Sequence, residues 1–147
     1  MNIAVGCDHA GIEASPEIQR LLTAAGHQVS DCGTHGDTSV DYPDFAAAVA
    51  QKVAAGDANL GILICGTGIG MSIAANKVTG VRAAKVNDPF EARMCREHNN
   101  ANVLCLGARV LDPSVMEEIV MSFVDGTFAG GRHGRRVDKM MGLEAEA

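Results

Sequence analysis

The sequence predicts a single-domain, Rossmann-like α/β fold in which a five-stranded parallel sheet carries helices on both faces. Short apolar runs alternate with helical patterns along the whole chain. One of these runs, LGILIC, is apolar throughout, as in strands buried on both faces of a parallel sheet. The length of 147 residues suits one domain spanning 1–147. Only 3% of the residues are aromatic, so the core must be aliphatic, as is usual where helices pack on such a sheet.

The amino-terminal half contains two predicted strand–helix pairs. Ser15 can cap the first helix, Pro16 suits its first position, and Gly26 can end it. Gly56 ends the second helix in the same way, and a polar loop at 32–41 precedes that helix. In chain order the predicted elements are a strand at 2–7, a helix at 16–25, a strand at 27–31 and a helix at 43–55.

The carboxyl-terminal half continues the alternation. Two of its helices begin at Asp-Pro pairs, because Asp caps a helix and Pro fits its first position. The predicted elements are strands at 60–65, 81–86 and 102–106, helices at 69–77, from 89 and at 113–124, and an arginine-rich helical segment at 130–142. We expect right-handed crossovers and the strand order 2-1-3-4-5. Ligands of such sheets bind beyond the carboxyl ends of the strands where the order reverses, here strands one and three.

Composition disfavours several kinds of partner and cofactor. A formal net charge of −6 argues against nucleic acid or an acidic membrane as partner. No apolar run is long enough to cross a bilayer. The five cysteines are odd in number and include no C-x-x-C pair, so we expect neither disulfides nor a zinc site, and a reducing cytoplasm as the location.

A glycine-rich turn follows the predicted strand 60–65. Gly66, Gly68 and Gly70 allow the backbone to turn tightly and to approach a ligand, and the N–H groups that open the next helix can hold an anion. The glycine spacing departs from the dinucleotide fingerprint and follows the third strand instead of the first, so we expect no dinucleotide cofactor. An oxyanion hole, to which Thr67 can add a hydroxyl, fits better.

Cys65 lies at the mouth of this turn, where backbone N–H groups favour a thiolate. A thiolate beside an anion hole can remove a proton next to a carbonyl group. Unpaired cysteines are also often small buried core residues, and Cys7 and Cys105 close other predicted strands in that way. The sequence alone leaves both interpretations of Cys65 open.

Two polar pairs are further candidates for the site. Asp8 and His9 follow the first strand. Asp8 is expected to bind a hydroxyl group and His9 a phosphate or hydroxyl group, although an Asp in this position often only forms a turn. His98 and Asn99 end the helix before the last strand. A histidine there can complement the helix dipole, or it can act as a general acid or base, with Asn99 binding a hydroxyl.

A basic cluster closes the chain. Arg132 and Arg136 are four residues apart, so they share one helix face and can grip a phosphate together. His133 and Arg135 lie between them, and Arg109 follows the last strand. The alternative is a solvated basic face, but the acidic balance elsewhere favours phosphate binding. This carboxyl-terminal helix is expected to reach the crevice of a neighbouring subunit, in a homodimer or tetramer with shared sites.

Taken together, these residues resemble type B ribose-5-phosphate isomerases, within the family that also contains the galactose-6-phosphate isomerase subunits. The matching segments run nearly end to end. They are GCDHAG at 6–11, DYPDFA at 41–46, GILICGTGIGMSIAANK at 61–77, GVRAA at 80–84, EHNNANVLCLGAR at 97–109 and GGRHGRRV at 130–137.

The resemblance implies a metal-independent aldose–ketose isomerase that needs no cofactor and interconverts ribose 5-phosphate and ribulose 5-phosphate through an enediolate. Some family members use a Glu directly after the last glycine of the turn as the base; here Met71 stands there, which leaves Cys65 as the base. The implied roles are Cys65 as base with Thr67 beside it, the amides of Gly66, Gly68, Ile69 and Gly70 for the enediolate, His98 for ring opening, Asp8, His9 and Asn99 for substrate contacts, and Arg109, Arg132 and Arg136 for phosphate.

Two alternatives remain open. Relatives handle other sugar phosphates on the same scaffold, so a hexose 6-phosphate or a tetrose phosphate is a second candidate substrate. A phosphosugar-binding module without catalysis is a third hypothesis, which the glycine-rich turn alone supports.

Overall fold

The computed structural model describes residues 1–146, and Ala147, the last residue of the predicted single unit 1–147, lies outside the described residues. One parallel sheet carries helices on both faces, which confirms the predicted fold class. The elements are β1 Asn2–Cys7, α1 Ala14–Ala24, β2 Gln28–Asp31, α2 Tyr42–Ala55, β3 Leu60–Cys65, α3 Ile69–Ala75, β4 Ala83–Lys85, α4 Pro89–Asn99, β5 Val103–Gly107, α5 Pro113–Asp125 and α6 Arg132–Gly142, with a final 3₁₀ turn at Leu143–Glu146.

The strand order is β2-β1-β3-β5-β4, so the predicted order was wrong for the last two strands. β5 pairs with β3 through register partners such as Leu63 and Cys105, and β4 pairs with β5 at the edge of the sheet. The physical reason lies in burial. All five residues of β5 are buried, which suits a central position, whereas β4 has three half-buried residues and ends at Lys85.

The core consists of two layers, one on each face of the sheet. Helices α1, α4 and α5 cover one face, where Leu22, Ile119 and Phe123 are fully buried. Helices α2 and α3 cover the other face, where Val49 and Met71 pack against the strands. Cys65 belongs to this second layer, so its side chain points toward the helices α2 and α3.

The helix boundaries follow the predicted signals in part. The Asp88 carboxylate accepts the N–H of Glu91 at 2.8 Å and caps α4 as expected. The left-handed Gly56, with φ of +81°, ends α2. Ser15 was predicted to cap α1 but lies buried inside it, because the turn after β1 carries the Gly11 carbonyl to the Ser15 N–H at 2.9 Å and starts the helix earlier.

The fold brings the carboxyl ends of β1, β3 and β5 together at one edge of the sheet. The N–H of Asp8, just after β1, donates to the Ile64 carbonyl of β3 at 3.2 Å. Beyond β5, the N–H of Arg109 donates to the Gly66 carbonyl at 3.0 Å. Across residues 1–146, no helix has the length and apolarity needed to cross a membrane.

Candidate active site

The sulfur of Cys65 accepts a hydrogen bond from the backbone N–H of Gly68 at 3.1 Å. The residue is 5% exposed and ends β3 at the edge where ligands of parallel sheets bind. An acceptor role is the one that a thiolate takes, since a thiolate has no proton to donate. The glycine-rich turn therefore holds the Cys65 sulfur through a backbone N–H at the carboxyl edge of the sheet.

The other cysteines have different surroundings. Cys7, Cys32 and Cys95 donate their thiol protons to backbone carbonyl oxygens. Burial raises the pKa of each of these thiols, that of Cys95 to about 11, and burial together with the nearby Cys65 raises the pKa of Cys105 further. Among the five cysteines, all within the described part of the chain, Cys65 is the one whose sulfur accepts a backbone N–H.

The turn around Cys65 depends on glycine at two positions. Gly68 has a φ of +79°, and a Cβ there would lie 3.0 Å from the Leu106 carbonyl carbon. A Cβ on Gly70 would lie 2.6 Å from the ring of Tyr42, which therefore packs directly against this turn. The exposed Thr67 accepts the N–H of Ile69 through its hydroxyl oxygen at 3.3 Å, so its side chain braces the start of α3.

Asp8 follows β1 and bonds through its N–H to Ile64 of β3 at the carboxyl edge of the sheet, and His9 comes next in the chain. The buried Asp8 carboxylate accepts the N–H of Ala10 at 2.9 Å, so it forms the local turn that was its structural alternative. His9 accepts the N–H of Val40 through Nδ1 at 3.2 Å. A neutral His9 ring bonded in this way carries its proton on Nε2, which leaves a donor for a ligand.

Arg109 also belongs to the cluster around Cys65. Its side chain lies beside Gly66, where an added Cβ would be 3.4 Å from both Cδ and a terminal guanidinium nitrogen. A cation at this position faces the carboxyl edge of the sheet, where a phosphate could be held. The Cys65 cluster comprises Asp8, His9, Cys65, the turn 66–70 and Arg109.

A second cluster gathers around His98. The rings of His98 and His133 stack with their centroids 4.2 Å apart and their planes 8° from parallel. Asn99 and Arg136 line the same cavity, of about 360 Å³. Arg132 is close enough to contribute to lowering the pKa of His133, after partial burial and His98. The His98 cluster comprises His98, Asn99, Arg132, His133 and Arg136.

One chain does not bring the two clusters together. Helix α4 starts beyond the carboxyl end of β4 and runs back along the sheet, so His98 lies near the point where β5 begins. That amino edge is marked by Val103, the partner of Gly61 at the opposite end of β3 from Cys65. The length of β3 separates the two edges by roughly 16–20 Å. The three arginines predicted to bind phosphate are therefore separated within one chain: Arg109 belongs to the Cys65 cluster, and Arg132 and Arg136 belong to the His98 cluster.

Sequence reasoning did not select two residues that the structure brings to the Cys65 cluster, Tyr42 and Lys85. Tyr42 covers Gly70, and the stem of Lys85 lies 3.1 Å from the Cβ position of Gly68. The ammonium of Lys85 bonds to the Asn87 side chain at the same edge. His133 was part of the predicted basic cluster. Its stacking on His98 could not be predicted, because the two residues are far apart in the sequence and no local pattern indicates the contact. In residues 1–146, no group of three or more His, Cys, Asp or Glu side chains is placed to hold a metal ion.

Known proteins match the chain over nearly its whole length. The model of the family described as Ribose/Galactose Isomerase matches residues 3–140. Ribose-5-phosphate isomerase B of Escherichia coli (strain K12) is 44% identical over 142 residues, which cover 97% of this chain and 95% of that protein.

Solved structures agree with the sequence matches. Ribose-5-phosphate isomerase B of Clostridium thermocellum superimposes with a TM-score of 0.98 and 49% identity over 99% of each chain. The Mycoplasma genitalium enzyme of the same name, solved with bound ribulose-5-phosphate, gives a TM-score of 0.95 at 46% identity and covers 99% of this chain and 97% of its own. These matches confirm the resemblance stated above. The chain therefore belongs to the ribose/galactose isomerase family of enzymes.

Proposed function

We propose that this enzyme interconverts ribose 5-phosphate and ribulose 5-phosphate without a metal, with Cys65 as the base. The observation that carries the proposal is the Cys65 sulfur, which accepts the Gly68 N–H at the carboxyl edge of the sheet. The name of the Escherichia coli relative, and the ribulose-5-phosphate bound to the Mycoplasma genitalium enzyme, support this choice of substrate.

The proposed reaction assigns one task to each cluster. His98 donates a proton to the ring oxygen, the bond between C1 and that oxygen breaks, and the anomeric hydroxyl gives up its proton to water, which opens the furanose to the aldehyde. The Cys65 thiolate then removes the proton from C2, and the amides of the turn 66–70 hold the enediolate oxygen. Return of this proton from Cys65 to C1, together with transfer of the O2 hydroxyl proton to O1, gives the ketose. A positioned base contributes about 10²–10⁴-fold in rate, and one oxyanion donor about 10²–10³-fold.

Because one chain keeps the two clusters at opposite edges, the proposal includes a second copy of the chain. The His98 cluster of one subunit then completes the Cys65 cluster of another. An apolar surface beside the turn supports this arrangement, since Ile69 and Ile73 are 54% and 58% exposed and Tyr42 is also exposed. Apolar side chains grouped in this way mark an interaction surface.

The test is a panel of sugar phosphates in deuterated water, without added metal. Ribose 5-phosphate, galactose 6-phosphate and a tetrose phosphate are followed by NMR for conversion and for deuterium at the carbon next to the carbonyl. We expect the pentose phosphate to be converted with the highest kcat/KM. A preference for another sugar would overturn the substrate assignment, and no exchange with any sugar would favour a binding module.

Cys65→Ala tests the base in the same assay. We expect a loss of about 10²–10⁴-fold in kcat, with sugar-phosphate binding retained. Cys32→Ala is the matched control, because Cys32 is a half-buried cysteine outside the site, and we expect it to keep parental turnover. Parental turnover by Cys65→Ala would show that another group takes the proton.

A further inference from the structure

We propose that His133 is a positioning residue, whose ring stacks on His98 and fixes the plane of that imidazole for ring opening. The inference rests on the proposed function, since it assumes that His98 acts on the furanose oxygen. It goes further by giving His133 a task that requires a flat ring, without requiring contact with the substrate.

The stacking geometry suits such a task. The two rings are nearly parallel, at 8°, with a centroid distance of 4.2 Å. A parallel neighbour at this distance blocks rotation of the His98 ring about its own bond. It covers only a face of the imidazole, however, and both ring nitrogens lie in the ring plane. The stack therefore fixes the orientation of His98 and leaves its donor and acceptor atoms available.

The backbone holds His133 in place. Gly130 and Gly131 both have positive φ, at +65° and +55°, and this turn starts α6. The Ala129 N–H donates to the Glu97 carbonyl at 3.0 Å, which ties the turn to the last part of α4. One helical turn after His133, the buried Val137 anchors α6. The position of the His133 ring is thus set by packing that does not involve a ligand.

The charges around His133 favour the neutral ring. Partial burial lowers the pKa of His133, and His98, Arg132 and Arg136 lower it further, in that order. The other residues lining the cavity, Asn99, Val137 and Met140, are uncharged. A neutral His133 can lie against a protonated His98 without placing two positive charges face to face.

The test isolates ring opening from isomerisation. In a Cys65→Ala background the enzyme opens and closes the furanose without removing the C2 proton. NMR exchange between the α and β anomers of ribose 5-phosphate then measures ring opening, because the anomers interconvert only through the open chain. We compare this background with added His133→Ala, His133→Phe and His98→Ala, and His35→Ala serves as the exposed-histidine control. Melting temperatures verify folding.

We expect His133→Ala to slow enzyme-catalysed anomer exchange about tenfold at saturating sugar, within the range of a misplaced acid–base group. His133→Phe keeps a flat ring and should remain within about twofold of the background. Three results would overturn the inference: an unchanged rate in His133→Ala, an equal loss in His133→Phe, or a change in sugar affinity alone. If Cys65→Ala itself fails to accelerate exchange, the ring-opening step of the proposed function fails, a result distinct from failure at His133.

Discussion

The Cys65 sulfur and the His98 imidazole, the two groups assigned to proton transfer, lie at opposite edges of the same sheet. Cys65 closes β3, whereas His98 is near the end of α4, which has run back toward the start of β5. Each is held by its own neighbours, the Gly68 N–H in one case and the His133 ring in the other. This separation makes the assembly of the site testable.

Hybrid oligomers test whether the site is shared. Cys65→Ala and His98→Ala, each expected to have strongly reduced activity alone, are co-expressed with different tags, and dimers carrying both are purified. One site of each hybrid dimer then combines an intact Cys65 cluster with an intact His98 cluster, so we expect about half of the parental activity per dimer.

The matched control pairs two changes in the same cluster. A hybrid of Cys65→Ala with Asp8→Ala should stay inactive, because each of its sites contains one damaged Cys65 cluster. Activity measured against ribose 5-phosphate distinguishes the two hybrids. An inactive Cys65→Ala/His98→Ala hybrid would show that the subunits do not complete one another.

Arg136→Ala tests phosphate binding by the His98 cluster. Loss of a charge-assisted hydrogen bond removes about 1.5–3 kcal/mol of binding free energy. We therefore expect KM for ribose 5-phosphate to rise roughly 10–100-fold, with a much smaller change in kcat. Arg135→Ala is the control, since Arg135 is exposed and does not line the cavity that Arg136 lines. An unchanged KM in Arg136→Ala would remove this residue from the phosphate site.

Gly68→Ala tests the turn that carries the Cys65 sulfur. A positive φ costs a residue with a Cβ about 1–2 kcal/mol, and the new Cβ would also press on Leu106 at 3.0 Å. We expect lower stability and a drop in kcat of tenfold or more, since the Gly68 N–H shifts away from Cys65. Stability is measured by urea unfolding and kcat by the isomerase assay.

Gly56→Ala is the control that separates the backbone strain of a positive φ from the loss of the Gly68 contact with Cys65. Gly56 has a similar φ of +81°, but an added Cβ there meets nothing within 4 Å. It should lose a comparable amount of stability through strain and keep parental kcat. Equal kcat values in the two variants would contradict a catalytic role for the Gly68 amide.

Cys95 gives a prediction of alkaline stability. Burial raises the pKa of its thiol to about 11 in the folded chain, from about 9. Between those pH values the unfolded chain loses a proton that the folded chain keeps, so stability present below pH 9 is lost as pH rises to about 11. Two pKa units correspond to about 2.7 kcal/mol.

The measurement compares the parent with Cys95→Ala by urea unfolding from pH 8 to 11. The other buried thiols contribute equally to both proteins, so the difference between the two curves isolates Cys95. We expect the difference in free energy of unfolding between the parent and Cys95→Ala to shrink as the pH rises across this range. Parallel curves would show that Cys95 does not titrate with a raised pKa.

Features that depend on neighbouring residues could be predicted from the sequence. The bounds of β3 match the prediction because an uninterrupted apolar run and the glycines after it are both local signals. The Asp88 cap was equally predictable, since an N-cap contact spans only three residues. The placement of Cys65 beside the glycine-rich turn followed from adjacency alone.

Features that depend on distant pairing were decided by the tertiary structure. β5 occupies the position beside β3 that the prediction gave to β4. The reason is that the residues of β5 are all buried, whereas those of β4 are half-buried. Tyr42 packs on Gly70, and His98 on His133, through contacts between segments about 30 residues apart. A sequence pattern shows which side chains each helix or strand carries. Which helices and strands contact one another depends on the free energy gained by burying their apolar faces. For that reason the residues of both clusters could be selected from the sequence, whereas the stacking of His98 on His133 and the distance of His98 from Cys65 depended on the tertiary structure.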